Sequence, residues 1–291
     1  MLGGAVVFAA TQDFFGAGGG KSQAHDAARR AERFDAARAW RLVRLQLSYG
    51  QRPGGSPQLR ALADRLRPLL PNGRFEDLGP NEPGLRNIVG ELPGRGPPIL
   101  IGAHYDTQSD PVGFVGANDG AAGPAAVLEL ARVLRPVSAR DGRAVTFVLF
   151  DGEEQPAGAE SQPFASSGLR GSRSFVSAHG AHSVGEMILL DYIAGRGSTF
   201  QRERASDRGL WGRLRDAAQR AGVGSVFPPG DQSELIVDDT TPFQMAGIPA
   251  IDIIDWGYPY KQGVHDTLDK LDPRVLDAVG EAVAELVRRG G

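Results

Sequence analysis

Three short apolar runs, each ending in a histidine or an acid, constrain this chain more than any other feature. Residues 98–103 run into His104-Tyr105-Asp106, residues 145–150 into Asp151-Gly152-Glu153-Glu154, and residues 187–190 into Asp191. Near-continuous apolar runs of this length suit strands buried on both faces, which is the condition of a parallel sheet covered by helices. Residues 88–92 and 250–254 read as further strands. Phe34, Ala37, Trp40, Val43 and Leu47 fall at helical spacing, and 58–70, 121–134, 210–221 and 275–287 read as helices. The alternation predicts an α/β chain: a single-domain, three-layer α/β/α architecture around a mixed, mostly parallel central sheet. Open sheets of this kind gather ligands outside the carboxyl ends of their strands, and that is where these polar segments fall.

Composition narrows the setting. With 291 residues, 41% of them hydrophobic, the chain can bury a sizeable core. A net charge of −3 gives no reason to expect a nucleic-acid partner or an anionic membrane surface. The absence of cysteine removes disulfides, thiolate ligands and a cysteine nucleophile. The apolar run at 2–10 is shorter than the ~20 residues of a membrane span and lacks a basic flank, so residues 1–30 read as a flexible leader ahead of one domain over 31–291. A monomer without stable membrane insertion is expected, exported to the periplasm or outside in preference to cytoplasmic.

The junction segments carry the chemistry. In His104-x-Asp106, strand alternation puts both side chains on one side, so the acid can orient the imidazole. Asp119 in Gly116-Ala117-Asn118-Asp119-Gly120 precedes a helical run and reads alone as an N-cap, although its glycine neighbours allow close backbone approach. Glu153 and Glu154 follow a buried strand, where adjacent carboxylates repel unless a cation or a shared proton stabilises them. One can bind a metal and the other move a proton. Asp191 and the His265 of Val264-His265-Asp266 complete the set. Two histidines and several carboxylates at one sheet edge make a site for a divalent metal, zinc first. No Gly-x-Ser-x-Gly elbow follows a strand, which excludes a serine hydrolase of that type.

The order and context of these residues resemble the zinc-dependent exopeptidases of the bacterial leucyl aminopeptidase type and their relatives the glutaminyl cyclases, with their phosphorylase/hydrolase-like fold. The resemblance runs from Phe34 to the C-terminus. It includes Arg52-Pro53-Gly54-Gly55-Ser56, His104-Tyr105-Asp106, Gly116-Ala117-Asn118-Asp119, Phe150-Asp151-Gly152-Glu153-Glu154, Gly171-Ser172-Arg173, Leu189-Leu190-Asp191, Asp239-x-x-Pro242-Phe243 and His265-x-Thr267. It implies zinc, one or two ions, with Asp119 bridging, His104 and Asp191 on one ion, and Glu154 and His265 on the other. Glu153 would be the general base acting on a metal-activated water, and Asp106 and Asp239 would assist. The substrate would be the N-terminus of a peptide or protein.

Within that resemblance two activities compete. An aminopeptidase hydrolyses the first peptide bond with two metals. A glutaminyl-peptide cyclotransferase uses one zinc to cyclise N-terminal glutamine to pyroglutamate with loss of ammonia. The Asp238-Asp239 pair and the 114–117 segment speak for the cyclase. Against it, Val264 stands where many cyclases have tryptophan, and the loop over 155–168 has none; Thr240 replaces a histidine common to both branches and Asp266 a usual threonine. A pocket wall of Trp256, Tyr258, Tyr260 and Val264 is mainly apolar, which favours an aminopeptidase for medium apolar residues. A non-catalytic binding module is the minor alternative.

Overall fold

The strand-ending acids meet because four strands run the same way. The computed structural model describes residues 33–138, 142–159 and 161–289, so the leader expected at 1–30 lies outside the described residues. The sheet contains β1 (Arg74–Asp77), β2 (Arg86–Leu92), β3 (Arg95–His104), β4 (Arg143–Phe150), β5 (Glu186–Asp191) and β6 (Ala250–Ile254), in the order β1-β2-β4-β3-β5-β6. β1 and β2 pair antiparallel, as do β2 and β4, whereas β4, β3, β5 and β6 are mutually parallel. The sheet is therefore mixed and mostly parallel. The ends of β3, β4, β5 and β6 open onto one edge.

Besides a single turn at Phe164–Ser167, the α-helices among the described residues are α1 (Ala36–Leu47), α2 (Pro57–Leu66), α3 (Gly123–Ser138), α4 (Arg170–His179), α5 (Arg208–Arg220), α6 (Thr240–Met245) and α7 (Pro273–Arg289). Their starts are written locally. The Asp35 carboxylate accepts the Arg38 amide at 3.0 Å, Ser56 accepts from Leu59 at 3.1 Å ahead of Pro57, and Asp207 accepts from Leu210 at 2.7 Å. Where the sequence suggested one helix over 58–70, α2 stops at Leu66 and a 3-10 turn carries Arg67–Leu69, since Pro68 has no amide to continue the ladder.

Strand alternation sorts the core into two layers. Ile99, Ile101, Phe147, Leu149, Ile188, Leu190, Ile251 and Ile253 face the layer that holds α1, α2, α3, α5 and α7. Leu100, Val148, Phe150, Met187 and Leu189 face the other, with Phe175 of α4 and Phe243 of α6. Each fully buried aliphatic or aromatic side chain stabilises the fold by about 1.5–3 kcal/mol, and both faces of every central strand are covered. β1, α4 and α6 were not expected from the sequence. β1 is a short polar edge, and α4 and α6 carry too few apolar residues for a clear period.

Candidate metal centre and active site

β3 ends at His104, whose side chain is buried beneath the sheet edge. Its Nε2 lies 3.2 Å from Asp119 Oδ1 and 3.4 Å from Asp191 Oδ1. Among the described residues, His104, Asp119 and Asp191 form the one group of three or more such side chains whose ligand atoms all lie within 4.8 Å of one another. Neither ring nitrogen of His104 has a hydrogen-bond partner. A buried imidazole left unbonded between two carboxylate oxygens is costly unless something binds there. A tetrahedral ion with bonds of about 2.0–2.1 Å sets its ligand atoms ~3.3–3.4 Å apart, and these two separations match that edge. The residues fit zinc.

Asp119 is presented by an irregular segment, Asn118–Ala122, before α3 begins at Gly123. It is not an N-cap: its Oδ2 accepts the Tyr192 hydroxyl at 2.6 Å and its Oδ1 faces His104. Gly120 follows at φ +88, and a Cβ there would meet the Asp106 carbonyl oxygen at 2.2 Å. Only glycine allows that turn. Two buried groups hold the segment. Arg52 donates to the carbonyls of Tyr105 (3.2 Å), Val115 (2.6 Å) and Gly116 (3.2 Å). Asp266 accepts the amides of Asn118 and Asp119 at 3.0 Å and the Tyr258 hydroxyl at 2.8 Å. Burial and then Asp119 push the Asp266 carboxyl up to about 6, against those hydrogen bonds.

Asp106 sits under the glutamate pair. Its Oδ1 and Oδ2 accept the amides of Glu153 and Glu154 at 3.2 Å each, and its Oδ1 stands 3.5 Å from His104 Nδ1. Arg170 of α4 clamps the same turn from the other side, donating to the carbonyls of Gly152 (3.2 Å) and Glu154 (2.9 Å). Glu153 Oε2 lies 3.8 Å from His104 Nδ1. Burial drives the Glu153 carboxyl well above the usual range, Glu154 adding to the shift and His104 opposing it. Burial also raises Glu154, with Asp119 next, and pushes Asp191 up to about 7 against its contact with His104. Burial alone would lower His104, but Glu153, Asp106, Asp119 and Asp191 outweigh it and hold the imidazole well above its ordinary value.

A cavity of about 360 Å³ opens over this cluster. Its lining combines polar side chains, Asp119, Glu153, Glu154, Gln155, Asp191, Tyr192, Glu234, Asp238 and Gln262, with the apolar Phe164, Leu235, Ile236, Val237 and Trp256. Of the wall expected from the sequence, Trp256 is in place. Tyr258 is instead turned inward by its bond to Asp266, while Tyr260 and Val264 stay 37% and 41% exposed and line no part of the cavity. Asp239 is buried behind the cavity, where it accepts the Ser172 hydroxyl at 2.5 Å. His265 is exposed and outside the cavity lining. Sequence reading missed Tyr192, Arg170 and Gln262, and took Asp238 only as part of the Asp238-Asp239 pair. Of these, only the acid pair at 238–239 carried a signal.

Residues 87–287 match Peptidase family M28. The chain belongs to that family. It is 30% identical over 239 residues to the uncharacterized protein YfbL of Escherichia coli strain K12, covering 69% of this chain and 70% of that one. Its fold is similar to the crystal structure of an Acidobacteriales bacterium glutaminyl cyclase, with a TM-score of 0.76 and 25% identity over 88% of this chain and 94% of that one. It is also similar to a leucine aminopeptidase precursor from Bacteroides thetaiotaomicron, with a TM-score of 0.74 and 28% identity over 88% and 98%. Zinc is the cofactor that this family and the His104–Asp119–Asp191 group share. No helix among the described residues is long and apolar enough to cross a membrane.

Proposed function

We propose that this M28 enzyme is a glutaminyl-peptide cyclotransferase, closing an N-terminal glutamine to pyroglutamate. The observation that carries the reading is the polar part of the cavity lining. Of the apolar wall that favoured an aminopeptidase, Trp256 lines it but Tyr258, Tyr260 and Val264 do not, whereas Asp238 and Gln262 do. A glutamine side-chain amide is costly to bury unpaired, and these two groups can pair with it. The likeness to glutaminyl cyclases of known structure supports the same reading.

Zinc held by His104, Asp119 and Asp191 would supply a Lewis acid for the amide carbonyl and offset the charge of the buried carboxylates. The chain's own residues do the rest. Asp191 and Asp238 flank the α-amine of the substrate, and Phe164, Ile236 and Trp256 exclude water from the ring being closed. Glu153 takes a proton from the attacking α-amine and returns it to the departing ammonia. The new bond joins the amine nitrogen to the amide carbon as the old carbon–nitrogen bond breaks, so atoms and protons balance. A raised carboxyl such as Glu153 is suited to hold that proton between the two steps.

The second reading is hydrolytic. The exposed Leu235 and Val237 at the cavity mouth offer an apolar contact to a first residue, in keeping with the likeness to a leucine aminopeptidase precursor. Glu153 would then take its proton from water. Zinc-loaded protein incubated with Gln-initiated and Leu-initiated peptides separates the two by mass. Loss of ammonia from the first, with the second untouched, is the expected result. Release of a free amino acid from either peptide would refute the cyclase.

A further inference from the structure

A second cavity, of about 390 Å³, adjoins the catalytic one, and Glu234 and Trp256 line both. Its walls come from the segment after β5, from residues 232–234, and from the loop that follows β6. The first two are tied together. The Arg202 amide donates to the Gly230 carbonyl at 3.2 Å and the Gln232 amide to the Arg202 carbonyl at 2.8 Å. The buried Arg202 guanidinium grips both oxygens of Asp231, at 3.0 and 2.6 Å. The cavity is thus held open by fixed walls beyond the carboxyl ends of β5 and β6.

What it offers is acceptors. Both amide hydrogens of Gln232 are spent on the carbonyls of Gln201 (3.1 Å) and Ile254 (2.8 Å), which leaves its carboxamide oxygen. Asp255 is oriented by the Ser198 hydroxyl at 2.5 Å and the Gly257 amide at 3.1 Å, one bond to each oxygen, and each oxygen can accept another. Glu234 is exposed where the two cavities adjoin. The one cation of the lining, Lys261, is drawn onto the indole: its Nζ donates to the Trp256 carbonyl and stands 4.4 Å from the ring centroid. Two carboxylates against one ammonium leave this lining at −1. A guanidinium or ammonium group finds oxygens there from three side chains.

We infer that this second cavity receives a cationic side chain, Lys or Arg, from the second or third residue of the peptide whose first residue occupies the catalytic cavity. An extended chain advances ~3.3–3.6 Å per residue, so a cavity sharing two wall residues with the catalytic one is reached within one or two residues. The inference rests on the proposed function only in that the substrate is a peptide N-terminus, which the hydrolytic reading shares.

Calorimetric binding tests it. Zinc-loaded Glu153→Gln protein, its fold checked by circular dichroism, is titrated with Ala-based peptides that begin with Gln or Leu and carry Lys or Glu at position two, three or six. Lys should bind about 3–10-fold more tightly than Glu at position two or three and equally well at six, and the gain should shrink as salt is raised. Glu234→Gln and Asp255→Asn, each in the same background, should bring the ratio towards one. Glu234→Lys should invert it, which a merely structural role would not produce. A ratio near one at both positions, an equal gain at position six, or a preference for Lys that survives Glu234→Lys would overturn the inference. Mass analysis of the same peptides with Glu153 intact decides separately between loss of ammonia and release of an amino acid. Failure of the cyclase reading therefore leaves this cavity's role standing, and a missing preference for Lys leaves the cyclase standing.

Discussion

Replacing Arg52 by Met tests how the metal centre is held. The guanidinium is fully buried and donates to the Gly50 carbonyl and to three more, those of Tyr105, Val115 and Gly116, which flank the His104 and Asp119 segments. Burial lowers its pKa to about 10 even with Asp106, Asp119 and Asp266 pulling the other way. A shift of that size means that charging this site costs about 3 kcal/mol at ~1.36 kcal/mol per unit. Met would remove that cost. It would also leave three buried carbonyl oxygens unpaired at ~1–3 kcal/mol each, and Asp119 and Asp266 without their nearest cation. The losses exceed the relief, and the net destabilisation should be roughly 3 kcal/mol. Urea unfolding of the metal-free protein at neutral pH measures it, and zinc affinity should fall in parallel because the Asp119 segment loosens. Arg52→Lys keeps the charge but not the three-way reach, so it should fall between the two. A loss below ~1 kcal/mol with unchanged zinc affinity would refute the claim that Arg52 holds the loops.

If Glu153 is the proton carrier of the proposed function, Glu153→Gln should cut turnover by ~10²–10⁴-fold while zinc content stays the same, since it stands outside the ligand group; a drop in zinc content would reassign it as a ligand. In the metal-free protein the raised pKa values of Asp191, pushed to about 7, and of His104 both mean that the folded state holds protons the unfolded chain has released. Stability should therefore fall as pH rises from ~4 through 7, and the stabilisation gained on adding zinc should be larger at pH 8 than at pH 5. The urea midpoints at the two pH values check the sign, and a higher metal-free midpoint at pH 8 would contradict it.

The parts of the fold legible in the sequence were those with a strong local period. β3, β4, β5 and β6 are near-continuous apolar runs, and the helices flanking them repeat at three and four residues, so the parallel half of the sheet and its catalytic edge followed. β1 was not legible, because Arg74-Phe75-Glu76-Asp77 has one apolar residue and is a strand only by pairing with β2. α4 was equally hidden: Arg170 and Ser172 are buried through bonds to the 152–154 turn and to Asp239 and not through an apolar face.

The site divides along the same line. His104, Glu153 and Asp191 sit at strand ends, where position alone aims them at the sheet edge, and Asp106 lies under Glu153 by the same two-residue alternation. The 255–266 loop has no such frame. What fixes it is Asp266 reaching the amide of Asn118, a contact across 148 residues that leaves no mark on the local pattern, while Gln262 and His265 both stay exposed. A histidine beside an acid looks like a ligand, and a glutamine in a loop looks like surface. The long-range bond buries Asp266 and leaves its neighbour His265 outside the cavity that Gln262 lines.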